Sequence, residues 1–227
     1  IMNLKFLYFV GFFLLGLSAC SEFFSINIEN QEIEIISPKD SLFVNKNHIN
    51  FWWEENSDIE SYQIQVVTPN FDNPTIIMDT ILSGTALEMD LDEGIYTWRI
   101  RGVNAGSESA YFYRLFVVDQ TAPLPAQLLY PPDSAIVSLE DNITLQWKSR
   151  DPVINDLTFS VWDSVYLYRK IASQYLLVES FMLEENFSQM LDIHLFLEPS
   201  QKYQWEIRSF DKANNKALSP RYSFQTE

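Results

Sequence analysis

Along most of this chain, apolar and polar positions alternate one by one over short runs, the period of a strand with one buried face. Ile49-Asn50-Phe51-Trp52-Trp53 puts Ile49, Phe51 and Trp53 on one face and turns Trp52 to the other. Tyr96-Thr97-Trp98-Arg99-Ile100-Arg101 likewise turns its apolar members inward and presents Arg99 and Arg101 as an outward ladder. Such runs are separated by turn residues, and convincing helical periodicity scarcely occurs. Strands are predicted near 32–37, 48–53, 61–67, 75–81, 86–91, 95–103 and 111–118, then near 127–130, 142–147, 157–162, 175–181, 188–193, 203–210 and 222–226. Pro38, Pro69, Pro123, Pro125, Pro131, Pro152, Pro199 and Pro220 fall at their boundaries, where a missing N–H does least harm.

The two halves repeat. Ser37-Pro38-Lys39-Asp40-Ser41 recurs as Tyr130-Pro131-Pro132-Asp133-Ser134, Ile49 to Trp53 as Ile143-Thr144-Leu145-Gln146-Trp147, and Tyr96 to Arg101 as Tyr203-Gln204-Trp205-Glu206-Ile207-Arg208. Two copies of one β-domain account for all three matches. The predicted fold class is all-β: two tandem sandwiches over 35–119 and 128–227, joined by a linker at 120–127. Asp119-Gln120-Thr121-Ala122-Pro123-Leu124-Pro125 is short and proline-stiffened, so inter-domain freedom should be limited. The second copy carries about ten extra residues, placed around Ser164 to Gln174, where a long hairpin is preferred over a helix.

The tryptophan closing the second strand, the Tyr-x-Trp-x-Ile run and the closing aromatic strand resemble bacterial fibronectin type III-like domains over about residues 35–227. Asp211-Lys212-Ala213-Asn214-Asn215 resembles the Asp-x-Ala-Gly-Asn turn of bacterial immunoglobulin-like repeats. Asn214 stands where glycine is usual; asparagine reaches the left-handed region more readily than other non-glycine residues. Ahead of the repeats, Lys5, an uncharged apolar run from Phe6 to Leu17, and Leu17-Ser18-Ala19-Cys20 resemble a bacterial lipoprotein signal and its lipobox. The resemblance implies a signal peptide over 1–19 and a lipid on Cys20, followed by a spacer to residue 34. An ordinary cleaved signal peptide is the alternative. A spanning helix needs about 20 apolar residues, more than this run supplies. Ser21-Glu22 lacks the aspartate that commonly marks inner-membrane retention, so the resemblance favours the outer membrane.

Charge and composition narrow the function. Net charge is −16, and removal of residues 1–19, whose only charge is Lys5, takes it to −17. Such acidity repels phosphates, so no nucleic acid partner is expected. Cys20 is the sole cysteine, so no disulfide framework exists and the cores alone must hold the fold. The two histidines, His48 and His194, fall at non-corresponding positions and are expected at the surface. With no nucleophile-elbow or glycine-rich phosphate motif, no catalytic residue, cofactor or metal is assigned, and the protein is not expected to be an enzyme. Glu54-Glu55, Asp90 with Asp92-Glu93, and Glu184-Glu185 read as solvated loops. Asp119, Asp151 and Asp211 could supply hard oxygen ligands to calcium if the fold brings them together.

Two outward tryptophans are the candidate contacts with a partner. Trp52 follows from the alternation above. Placing Leu157, Phe159 and Val161 inward turns Trp162 outward, beside an outward Arg208 in the neighbouring strand that a cation-π contact could engage. The expected function is a lipid-anchored, non-enzymatic binding or scaffolding module of the cell envelope with a protein or glycan partner. The alternatives are a glycan-binding accessory of a polysaccharide-utilisation system, with Trp52 and Trp162 as sugar platforms, and an accessory module of an enzyme located elsewhere.

Overall fold

The structure is a computed structural model that describes residues 26–154, 157–184 and 189–227. The expected signal peptide, Cys20, Glu185 and the start of the 188–193 strand lie outside these residues. The first half forms eight strands: β1 Ile35–Ser37, β2 Leu42–Val44, β3 His48–Trp53, β4 Ser61–Thr68, β5 Thr75–Leu82, β6 Ala86–Asp90, β7 Gly94–Val103 and β8 Phe112–Val118. The second half forms β9 Leu124–Tyr130, β10 Ala135–Val137, β11 Thr144–Arg150, β12 Val153–Ile154, β13 Leu157–Thr158, β14 Trp162–Ile171, β15 Gln174–Met182, β16 Met190–Asp192, β17 Lys202–Phe210, β18 Lys216–Leu218 and β19 Tyr222–Thr226.

Each half is a two-sheet sandwich, as the alternation requires. In the first, β1-β3-β6 faces β2-β8-β7-β4-β5; in the second, β9-β11-β16 faces β10-β19-β17-β14-β15, with β18 added beside β17. The short strands β2 and β10, absent from the sequence expectation, run parallel to β8 and β19 and close one side of each sandwich. Burial along β3 alternates strictly, with Ile49, Phe51 and Trp53 inside. Trp53 and Trp98 fill the first core, and Trp147 and Trp205 fill the second. Truncating any one of them to alanine should cost about 3–5 kcal/mol. Each half also ties the turn before its long central strand with a tyrosine, the corner found in immunoglobulin-like sandwiches. The Tyr96 hydroxyl donates to the Asp92 carbonyl at 2.8 Å, and the Tyr203 hydroxyl accepts from the Glu198 N–H at 2.7 Å.

One strand and one insertion fall elsewhere than expected. The strand anticipated at 157–162 is β14, which begins where that one was to end. Leu157 is exposed, and Val165 and Leu167 supply the buried face. The residues 164–174 do form a hairpin of β14 and β15, but its length matches that of β4 and β5: Ile64 pairs with Thr80, and Val165 with Phe181. The extra residues lie earlier. Eleven positions separate Trp53 from Ile64, whereas eighteen separate Trp147 from its counterpart Val165. The insertion is therefore the β11–β14 connection, which contains the small β12–β13 hairpin and reaches the first sandwich.

Candidate functional site at the junction

Contacts among the described residues tie the sandwiches together around the short connection between β8 and β9. Phe159, from the lengthened β11–β14 connection, meets Phe43 of β2 edge-on with ring centroids 4.9 Å apart. Thr121 donates its hydroxyl to Glu93 at 2.7 Å, and the Asn215 side-chain amide donates to the Asp119 carbonyl at 2.8 Å. Asn215 is placed by the turn after β17, where Asn214 takes the left-handed φ of 66° that its position in the motif requires.

Asp119, Asp151 and Asp211 converge at this junction. Each offers a carboxylate oxygen, and the three oxygens all lie within 4.8 Å of one another. All three side chains are buried, with 1%, 7% and 0% of their surface exposed. Asp211 directly follows β17 and accepts from the Asn215 backbone N–H at 2.8 Å and its amide at 2.9 Å. Asp119 Oδ1 accepts from Thr121 N–H at 3.2 Å, but its Oδ2 has no partner among the described residues. Neither oxygen of Asp151 has one. Burial, then the charge of Asp211, pushes the Asp119 carboxyl up to about 6, against the Thr121 hydrogen bond; Glu93 adds to the rise. Burial, followed by Asp119, Asp211 and Glu93, pushes Asp151 up to about 7. An all-oxygen, all-carboxylate set of this kind suits a hard cation and lacks the nitrogen or sulfur ligands that zinc favours.

The two tryptophans have different surroundings. Trp52 is 51% exposed on the outer face of β3, as the alternation requires. Trp162 is half-buried and lies parallel to Phe210, its partner across β14 and β17, at 6.2 Å. Arg208 is not beside it: because β14 starts later than expected, Arg208 pairs with Ser164 and lies 3.7 Å over the Tyr166 ring. Arg99 and Arg101 form the expected outward ladder. Their Nε atoms donate to Gln65 and Gln63, and Arg99 lies between Phe71 and Tyr111 at 4.2 and 4.0 Å. His48 is exposed, with its Nδ1 2.8 Å from Asp90, a contact that raises its pKa. His194 lies in a short 3₁₀ turn with its Nδ1 buried and unpartnered.

Sequence reasoning named the three aspartates but read Glu93 as a solvated loop and did not assign Thr121 and Asn215 to the site, where they donate to Asp119 and Asp211. The available signal was the register of the repeat, which places Asp211 opposite Asn104. No protein-family model and no curated protein matches the chain. Among solved structures, it is similar to the chicken CNTN1 FN1-FN3 domains, with 11% identity, TM-score 0.45, and coverage of 88% of this chain and 67% of that one. It is also similar to the three N-terminal domains of the bacteriophage RB49 highly immunogenic outer capsid protein (Hoc), with 11% identity, TM-score 0.44, and coverage of 86% and 70%.

Proposed function

We propose that the protein is a lipid-anchored, non-enzymatic binding and scaffolding module of the bacterial cell envelope. Cys20 holds it to the outer membrane, and the two sandwiches extend as one stiff unit. The observation that carries this reading is the joint. A short proline-containing connection is braced by the Phe43–Phe159, Thr121–Glu93 and Asn215–Asp119 contacts, which suit a part whose task is to hold surfaces at a set spacing. Stable attachment through lipid requires more than one acyl chain, which a lipoprotein-type modification of Cys20 provides. Detergent-phase partitioning of the chain expressed in a bacterium tests the anchor. Wild type should enter the detergent phase and Cys20→Ala the aqueous phase; aqueous partitioning of both would refute the anchor. Cross-linking in intact cells should then capture a recurrent envelope partner, and its absence would refute the binding role.

The exposure of Trp52 favours a second reading, glycan contact through ring stacking. Affinity electrophoresis on a polysaccharide panel should show retardation that is lost in Trp52→Ala. Trp162 is the weaker platform, since one face already stacks on Phe210. Absence of retardation by every glycan would remove this reading.

A further inference from the structure

The two sandwiches build the same corner with opposite chemistry, and the contrast bears on what the junction holds. Asn104 follows Tyr96 by eight residues at the end of β7, as Asp211 follows Tyr203 at the end of β17. Ile26 precedes Pro38 by twelve residues, as Asp119 precedes Pro131. In the first sandwich the corner is neutral. The buried Asn104 amide donates to the carbonyls of Ile26 and Asp58 at 3.1 and 2.8 Å, and its oxygen accepts from Glu60 N–H at 2.8 Å. In the second, the entering chain supplies Asp119, the connection after the tryptophan strand supplies Asp151, and the long strand supplies Asp211. A fold that closes this corner with one amide has instead placed three buried carboxylates there.

Three carboxylates need a counter-charge that the amide corner does not. The groups acting electrostatically on Asp151 are themselves acidic, namely Asp119, Asp211 and Glu93. Burying an ionised carboxylate without compensation is strongly unfavourable, and two like charges in contact make it worse. The geometry also fits a shared ion. Ligands on opposite sides of a calcium ion at about 2.3–2.6 Å are separated by about 5 Å, and the three oxygens meet that limit. The second, independent pointer is Asp151. It is buried, aimed at the other two carboxylates, and among the described residues no donor reaches either oxygen, nor Oδ2 of Asp119.

We propose that Asp119, Asp151 and Asp211 form a calcium site that locks the second sandwich onto the chain entering it from the first. The site lies on the joint itself: Asp119 belongs to the connection, Asp151 to the insertion, and Asp211 to the β17 turn. Glu93 of the first sandwich stands close enough to add to its field. Calcium is favoured over magnesium because its shell accepts six to eight oxygens in irregular geometry, whereas magnesium demands a near-regular octahedron and keeps several waters. The proposal goes beyond the scaffold reading and stands or falls on metal binding alone.

The test is isothermal titration of the purified full chain in detergent, stripped of metal by chelation, with calcium chloride and then magnesium chloride. One saturable calcium event per chain is expected, with Kd at or below about 10⁻³ M, as in extracellular modules. Asp151→Asn and Asp211→Asn should weaken it at least tenfold, and Glu55→Gln, an exposed loop carboxylate, should leave it unchanged. Asp211→Asn gives up one of the two bonds accepted from Asn215, so Asp151→Asn, whose carboxyl has no partner among the described residues, separates loss of the ion from loss of the turn. No saturable event up to about 10 mM calcium, well above that range, would overturn the proposal. So would equal binding by wild type and both junction variants, or displacement of calcium by equimolar magnesium.

Discussion

Replacing Asp151 by asparagine should stabilise the protein without calcium and blunt its response to calcium. Asp151 rises from 3.8 to about 7 on folding, mainly through burial and then through Asp119 and Asp211. Each pKa unit corresponds to about 1.4 kcal/mol, so ionising this group in the metal-free fold costs at most about 4 kcal/mol. Because the charge of Asp119 acts on Asp151 and the two titrate together, about 2–4 kcal/mol is the working figure. The sign follows from proton linkage: a carboxyl whose folded pKa is raised binds its proton more tightly when folded. The stability these two groups contribute to the metal-free fold is therefore whole below the unfolded value of 3.8 and is lost as pH rises from there through about 6 to 7. At pH 8 in chelator, Asp151→Asn should melt about 5–10 °C above wild type; the difference should shrink as pH falls and close only below the unfolded value of 3.8. Calcium at a hundredfold over the wild-type Kd should add about 3 kcal/mol to wild type and no more than about 1.4 kcal/mol to a variant that binds at least tenfold more weakly. Differential scanning calorimetry across these conditions reads all four values. Equal melting of wild type and variant at pH 8 in chelator, with neither responding to calcium, would refute the reasoning.

Other perturbations test the rest of the account. Asp163 is buried and accepts from Trp147 Nε1 at 2.7 Å and from the Ser149 and Ser209 hydroxyls. Asp163→Ala leaves those donors unpaired and should cost about 3–5 kcal/mol in urea denaturation. Glu206 is opposed by burial, yet Arg221, Arg208 and Tyr168 hold its carboxyl below the ordinary range. Its stabilisation is complete above the ordinary carboxylate pKa and disappears as pH falls through the lowered folded value. Glu206→Gln should therefore cost about 2 kcal/mol at pH 7, less than a fully buried pair because Arg221 is 47% exposed, and should flatten the acid limb of the stability curve. Phe159→Ala removes the edge contact with Phe43 and should barely change unfolding of either sandwich. It should broaden the intraparticle distance distribution in small-angle scattering, and an unchanged distribution would show that this contact does not brace the joint.

Much of this architecture was legible because a two-residue period leaves few choices. Ile49, Phe51 and Trp53 had to share a face, and both copies repeat that face with the same tryptophan. The short parallel strands β2 and β10 were not legible, since three residues show no period and their pairing depends on distant partners. β14 was misplaced for a related reason. Leu157, Phe159 and Val161 alternate convincingly, yet Phe159 is drawn to Phe43 of the other sandwich, a contact that no local pattern contains. The three aspartates were recognisable as oxygen donors, but their convergence depends on the β11–β14 insertion, which the sequence reading placed in the following hairpin. The register of the repeat held the missing information: Asn104 and Asp211 occupy one structural position with different charge.

The most direct measurement is the distance between spin labels on the two sandwiches, at Asn50 of β3 and Glu179 of β15, both exposed, in a Cys20→Ser background. With saturating calcium, pulsed dipolar spectroscopy should give one narrow distance distribution, which broadens in chelator and broadens likewise in Asp211→Asn whether or not calcium is present. A broad distribution that calcium leaves unchanged would contradict the account of a joint closed by a cation.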